Sequence, residues 1–234
     1  MNQVELNDLY DYDMYIYQNS KYFKFSVDSV LLAEFVRVRK NAKNVLDLCS
    51  GNAPIPLILS KKFGDRIRID AYELQPEIYE LGKMSIRKNS VRNINYYNDD
   101  IKNIDSKKKY DIVTCNPPYF IYHDDKVLND YEVLAKARHE ISINLDEVVH
   151  VSAASLKNGG YFYLVHTSSR IVDIIKCLKK YNFGIKSIVP VYDNRNRESS
   201  LVLIEALLNG KDYVKIERPV YIDENKTYQG IFGR

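Results

Sequence analysis

Tryptophan is absent from this sequence, and only three cysteines occur in its 234 residues. Cys49, Cys115 and Cys177 lie in or beside apolar segments. They lack the paired spacing of a disulfide framework or a thiolate metal site, so buried free thiols in a reducing compartment are expected. His123, His139, His150 and His166 are likewise not spaced as ligands, and no metal is implied. No apolar run is long enough to span a membrane and no leader-like pattern opens the chain, so a cytoplasmic protein without membrane contact is expected. Repeats and low-complexity tracts are missing. So is any Gly-x-Gly-x-x-Gly, which removes the usual fingerprint of a dinucleotide-binding dehydrogenase. A net charge of +3 permits a nucleic-acid partner without demanding one. Tyr, Lys, Asn and Ile are plentiful, which reads as the bias of an AT-rich bacterial genome rather than as a functional signal.

What is present is an alternation of strand and helix patterns. Strands are expected at 44–48, 68–72, 94–97, 110–115 and 161–166. Helices are expected at 54–62, 76–89, 145–156 and 168–181. Asn158-Gly159-Gly160 reads as the stop after the third of these helices. Two further strands, 184–191 and 200–207, flank a polar turn. The pattern calls for an α/β fold, a Rossmann-like doubly wound sheet of about seven mostly parallel strands with an antiparallel edge strand. Ahead of it, Ser26-Val27-Asp28 opens a helix whose end would be marked by Arg37, Arg39 and Lys40. The first 24 residues are polar and rich in tyrosine (Tyr10, Tyr12, Tyr15, Tyr17, Tyr22). They read either as a surface for stacking bases or, preferably, as a loosely ordered arm that packs its tyrosines on the core.

Chemistry concentrates where the strand at 110–115 runs into Asn116-Pro117-Pro118-Tyr119. Proline ends the strand, and a residue before proline is held extended, so a stiff turn sits at the carboxyl end of a buried strand. That is where open α/β sheets bind ligands. The Asn116 side-chain carbonyl and the Pro117 main-chain carbonyl are two fixed acceptors, matched to the two protons of a conjugated amine. They favour a transition state in which that nitrogen becomes tetrahedral and positive. Pro118 fixes the turn, and Tyr119 can stack on a planar group. A second centre opens at Asp47-Leu48-Cys49-Ser50-Gly51. Strand, small-residue turn and helix form a ligand cradle in which Gly51 allows close backbone approach and Asp47 can accept from a ligand ammonium. Glu73, 22 residues past Gly51, stands where a carboxylate grips ribose hydroxyls.

The Asn-Pro-Pro-Tyr turn resembles the fourth motif of S-adenosyl-L-methionine-dependent amino-methyltransferases of class I. The match extends along nearly the whole chain. Lys24-Phe25-Ser26-Val27-Asp28-Ser29-Val30-Leu31-Leu32 and Ala137-Arg138-His139 resemble segments of the bacterial tRNA1(Val) (adenine-37-N6)-methyltransferase family, as does the late Arg-containing turn from Asn194 to Ser200. The loop after Asp47 departs from the usual acidic-x-Gly-x-Gly-x-Gly, because Cys49 and Ala53 replace two glycines. The resemblance implies S-adenosyl-L-methionine as cofactor, with Lys24 and Asp28 near its methionine end. It places Asp47, Gly51, Glu73 and Asn116 around the cofactor and Asp100 at its adenine. It implies methylation of adenine N6 in a tRNA anticodon loop, with the base flipped into the pocket. Arg138, Arg195 and Arg197 are the candidate RNA contacts. Residues 1–43 would be an N-terminal arm and helix packed on the core, and 44–234 the methyltransferase domain of a monomer. The segment 120–137 would be a substrate loop. A release-factor glutamine-N5 or an rRNA guanine-N2 methyltransferase would share the turn, and a non-catalytic RNA-binding module is the rival of another class.

Overall fold

The computed structural model describes residues 4–9, 12–19, 27–105, 107–118, 144–224 and 227–233. Lys24, Tyr119, the loop 120–137 and Arg138 lie outside the described residues. The chain opens with a hairpin of β1 (Val4–Asp8) and β2 (Tyr15–Asn19), followed by α1 (Val27–Phe35). Then come β3 (Asn44–Leu48), α2 (Pro54–Phe63), β4 (Arg68–Glu73), α3 (Pro76–Lys88), β5 (Ile94–Asn98) and β6 (Tyr110–Cys115). After the undescribed loop the chain continues with α4 (Leu145–Ser155), β7 (Leu156–Thr167), α5 (Ile171–Lys180), β8 (Phe183–Tyr192) and β9 (Ser199–Leu208). It closes with the short β10 (Lys215–Ile216) and β11 (Val220–Tyr221).

The sheet order is β10-β8-β9-β7-β6-β3-β4-β5, with β11 also on β8. Strands β3 to β7 are mutually parallel, and the order of winding switches at β3, with β4 and β5 on one side and β6 and β7 on the other. Strand β9 is antiparallel to both β7 and β8, so the final strand pair forms the expected antiparallel edge. Two apolar layers sandwich the sheet. One packs α1, α2 and the hairpin through Leu9, Ile16, Leu31, Phe35 and Leu57; the other packs α4 and α5 through Val148, Phe162, Ile174 and Leu178. Burying each of these large side chains stabilises the fold by about 1.5–3 kcal/mol.

Three local readings change. Residues 4–8 and 15–19 pair as a hairpin rather than forming a loose arm. Its β2 edge is sealed by α3: Tyr17 N–H donates to Ser85 Oγ (2.9 Å), and Asn89 exchanges hydrogen bonds with the Tyr15 backbone at 2.9 and 2.7 Å. Such sealing removes an exposed strand edge. Helix α1 stops at Phe35, so the following arginines do not cap it. Arg39 instead pairs with buried Glu205 (2.6 Å) and stacks on Tyr161 (3.2 Å to the ring centroid), and Arg37 pairs with Glu217. Gly159 and Gly160 lie inside β7 rather than stopping a helix. The β6–β7 register slips beside Tyr110, and Gly159 has φ 75°, so the pair absorbs a strand irregularity.

Candidate functional site

The carboxyl ends of β3, β4, β5 and β6 form one edge, and Asp47, Gly51, Glu73, Asp100 and Asn116 lie along it. Asp47 is fully buried in β3, in register with Thr114 of β6. Thr114 Oγ1 donates to Asp47 Oδ1 at 2.5 Å, while Oδ2 is buried without a hydrogen bond. Burial, opposed by the Thr114 hydrogen bond and reinforced by the nearby Glu73 charge, pushes the Asp47 carboxyl up to about 7. A buried acceptor with an open lone pair at a ligand-binding edge fits a cationic ligand group.

The loop after β3 keeps the backbone of a glycine-rich loop with only one of its glycines. Cys49, Gly51 and Ala53 all have positive φ, at 56°, 57° and 73°. For the two non-glycine residues that conformation costs about 1–2 kcal/mol each. Three neighbours hold it. Ser50 N–H donates to Tyr72 O (2.9 Å), Gly51 N–H donates to Glu73 Oε2 (2.9 Å), and the Asn52 side chain donates to Tyr17 O (2.8 Å). Tyr96 Oη donates to Gly51 O. Its ring lies against Gly82 of α3, where an added Cβ would approach within 2.6 Å. Helix α2 then starts on Pro54, already preset for a first turn.

Glu73 therefore shapes the loop as well as facing the edge. Its other oxygen accepts from Gln75 N–H (2.9 Å), and burial raises its pKa against these hydrogen bonds. Each oxygen retains a lone pair for a ribose hydroxyl. Asp100 follows β5 and caps a short 3-10 turn by accepting from Lys102 N–H (2.9 Å). Asp99 N–H donates to Glu73 O (3.2 Å), which ties this exit to the same edge.

On the other half of the edge, β6 ends at Cys115 and Asn116 follows, half-buried, with Pro117 buried and Pro118 exposed. Asn116 Nδ2 donates to Ser29 Oγ at 2.9 Å. That contact brings α1, which also carries Asp28, to the turn, and it directs the amide nitrogen toward α1. Ser29, Thr114, Asn52 and Tyr96 were missed in the sequence. Thr114 carried a signal, a polar residue inside an apolar strand opposite Asp47; the other three carried none.

Arg195 and Arg197 lie in the β8–β9 turn at the same end of the sheet but away from the loop and turn. Arg195 is engaged by Glu224 (Nη2 to Oε2 2.9 Å) and stacks on Tyr221 (4.6 Å), whereas Arg197 is exposed. Among the described residues no group of three or more His, Cys, Asp or Glu side chains is placed to hold a metal ion. No helix among them is long and apolar enough to cross a membrane.

A sheet of this order, with a small-residue loop and an Asn-Pro-Pro turn on one carboxyl edge, defines a class I methyltransferase. The chain belongs to the methyltransferase small domain family, whose model matches residues 23–181. It is similar to the tRNA1(Val) (adenine(37)-N6)-methyltransferase of Aliivibrio salmonicida (strain LFI1238), 24% identical over 208 residues, covering 88% of this chain and 86% of that one. The protein of the same description from Pedobacter heparinus is 24% identical over 179 residues, covering 74% and 73%. Among solved structures, a predicted O-methyltransferase from Agrobacterium tumefaciens superposes with a TM-score of 0.63 at 16% identity, over 83% of this chain and 86% of that one. This last likeness concerns the fold.

Proposed function

We propose that the chain transfers a methyl group from S-adenosyl-L-methionine to adenine N6 in the anticodon loop of a tRNA, the adenine at position 37 of tRNA1(Val). The observation that carries this reading is the juxtaposition of two halves on one edge: the Asp47–Gly51–Glu73 cradle and, one strand away, an Asn116 amide held by Ser29. The relatives named above, matched over most of their length, support the choice of acceptor.

The residues present fit the donor. The open Asp47 oxygen suits its ammonium, the Glu73 carboxylate its ribose hydroxyls, and Asp100 its adenine amino group; Asp28 and Lys24 are assigned to its methionine end from their place in the motif. Bound there, the donor supplies an electrophilic sulfonium methyl. The chain does the rest. With Nδ2 directed at Ser29, Asn116 presents Oδ1 as the acceptor for one proton of the adenine amine, and the Pro117 carbonyl takes the other. Both acceptors interact more strongly with the nitrogen as it becomes cationic, which is differential binding of the transition state. No strong base is needed beforehand, because the proton leaves after the nitrogen has become positive. Tyr119 is assigned the stacking role from its place in the motif. An anticodon-loop base is poorly paired, so extruding it costs less than from a duplex.

The test is methyl transfer from labelled donor to unmodified tRNA1(Val), with rRNA, release factor and DNA in parallel and nucleoside analysis of the product. N6-methyladenosine in the anticodon loop is the expected product. Label in guanine or in glutamine would replace the acceptor, and donor binding without label in any of the four would remove the acceptor assignment.

A further inference from the structure

A second surface lies at the opposite end of the sheet. Helices run antiparallel to the strands they follow, so α2 and α3 both end at the amino edge, beneath the hairpin turn. Between them is an open groove of about 630 Å³ lined by Asp13, Tyr15, Lys61, Asp65, Lys88 and Arg92, among others. Its lining carries three exposed cations, Lys61, Lys88 and Arg92, against two exposed anions, Asp13 and Asp65, and Arg66, Arg68 and Arg87 on the flanking segments are exposed as well. The whole chain carries only +3. These six cations and two anions sum to +4. Complementing helix C-termini accounts for Lys61, Arg87 and Lys88, which lie in last turns. It does not account for Arg68 and Arg92, which lie outside both helices.

The groove also has an aromatic wall. Tyr15 is 40% exposed, and Lys88 Nζ sits 5.3 Å from its ring centroid. Lys61 is held only loosely, 3.9 Å from the almost fully exposed Asp13 carboxylate. Strand β2 runs from this wall to the cofactor loop, where Tyr17 O accepts from Asn52. Its outward-facing neighbours on β1, Val4 and Leu6, are exposed as well. A continuous surface thus leads from the basic groove to the methyl-transfer edge, about 20 Å away by the length of a six-residue strand.

We propose that this groove docks the ribose-phosphate backbone of the RNA substrate outside the loop that carries the target base, with Lys61, Lys88 and Arg92 on phosphates and Tyr15 beside a sugar or base. The proposal rests on the RNA reading of the active edge. The chemistry favours it, because Asp47, Glu73, Asp99 and Asp100 make the donor half of the edge acidic and poor for phosphate. A tRNA is long enough to reach both ends of the sheet; a minimal loop is not.

The experiment compares the wild-type chain with the Lys61→Gln/Lys88→Gln/Arg92→Gln variant. Binding of full-length tRNA is followed from about 50 to 200 mM salt, and methyl transfer is followed on a stem-loop trimmed to the loop and a few base pairs. Loss of three phosphate contacts should weaken tRNA binding at low salt at least tenfold and flatten the log–log salt slope by about 2–3. Activity on the trimmed stem-loop and donor affinity should stay unchanged. The side chains are exposed, so folding should survive; Arg92→Gln alone should show about a third of the slope change. A control with Lys176, Lys211 and Lys215 changed to Gln on the other side of the molecule should retain the wild-type slope. Wild-type affinity and slope in the groove variant, or an equal loss in the control, would overturn the proposal. If the wild-type chain binds donor but no tRNA at low salt, the RNA reading falls and the groove with it.

Discussion

On the β3–β5 half of the carboxyl edge, three consecutive loop residues are each tied to a different neighbour, Ser50 to Tyr72, Gly51 to Glu73 and Asn52 to Tyr17. On the β6 half, the Asn116 side chain donates to a hydroxyl from α1, while the rigidity of the turn comes from its prolines. The donor half is held by many hydrogen bonds spread over several elements, so single losses there are shared. The acceptor half concentrates its chemistry in one side-chain amide and one main-chain carbonyl. Substitutions should therefore separate cleanly, with catalytic loss on the acceptor side and affinity or stability loss on the donor side.

The largest effect is expected at Asn116. Asn116→Ala removes one of two fixed acceptors and should lower kcat by about 10²–10³-fold, the scale of losing one preorganised polar partner in a transition state. Donor affinity, measured by calorimetry, should move less than about threefold. A variant with near-normal turnover would break the distinction between the halves. Next comes Ser29→Ala, which leaves Asn116 in place without its hydrogen bond to Ser29. The loss of one hydrogen bond, about 1–1.5 kcal/mol, should lower kcat roughly tenfold without changing donor affinity. Ser29→Thr, which keeps the hydroxyl, should recover most of it. Equal losses in kcat and donor affinity for Ser29→Ala would make Ser29 a packing residue of α1.

These expectations also mark what could be read from the chain alone. The sheet strands, the Asn-Pro-Pro turn and the spacing from Gly51 to Glu73 are local patterns, and the structure has the expected ones within a residue or two, except that β7 starts at Leu156 rather than Tyr161. The hairpin was illegible because its inward face mixes Ile16 with Gln18 while tyrosines dominate the outer face, which blurs the alternation of a strand. Its stability comes from α3 side chains almost 70 residues away. Ser29 was illegible for a similar reason. A serine in a helix usually bonds its own backbone, and nothing local points it at Asn116, 87 residues on. The arginines after α1 looked like a helix end because their partners, Glu205 for Arg39 and Glu217 for Arg37, lie 166 and 180 residues further along.

The donor half has a pH signature. Asp47 titrates at about 7 in the folded chain, driven first by burial, against about 3.9 in an unfolded one. The folded carboxyl keeps its proton where the unfolded one has lost it. Stability of the ligand-free chain is therefore full below about pH 4 as far as this group is concerned, and falls as pH rises toward 7. Pairing with a ligand ammonium needs the ionised form, so donor affinity should rise with pH, by up to tenfold per unit, until it levels near 7. Asp47→Asn should flatten that profile. An unchanged profile in Asp47→Asn would move the titration to another group and leave the open Oδ2 without a ligand role.

The smallest effects test why the loop tolerates its substituted glycines. Ala53→Gly relieves a left-handed residue of about 1–2 kcal/mol of strain but adds about 0.5–1 kcal/mol of unfolded-chain entropy, so thermal denaturation should show a gain of about 1 kcal/mol or less. Donor affinity should hold, because the backbone is already in that conformation. The converse, Gly51→Ala, meets no atom within 4 Å of the new Cβ, so its conformational cost should be about 1–2 kcal/mol of stability and no more. If donor affinity falls well beyond that, the extra loss measures a ligand pressed against Gly51. If both variants shift only stability, the loop is shaped by its hydrogen bonds to Tyr72, Glu73 and Tyr17, and a glycine at 51 serves the backbone angle alone.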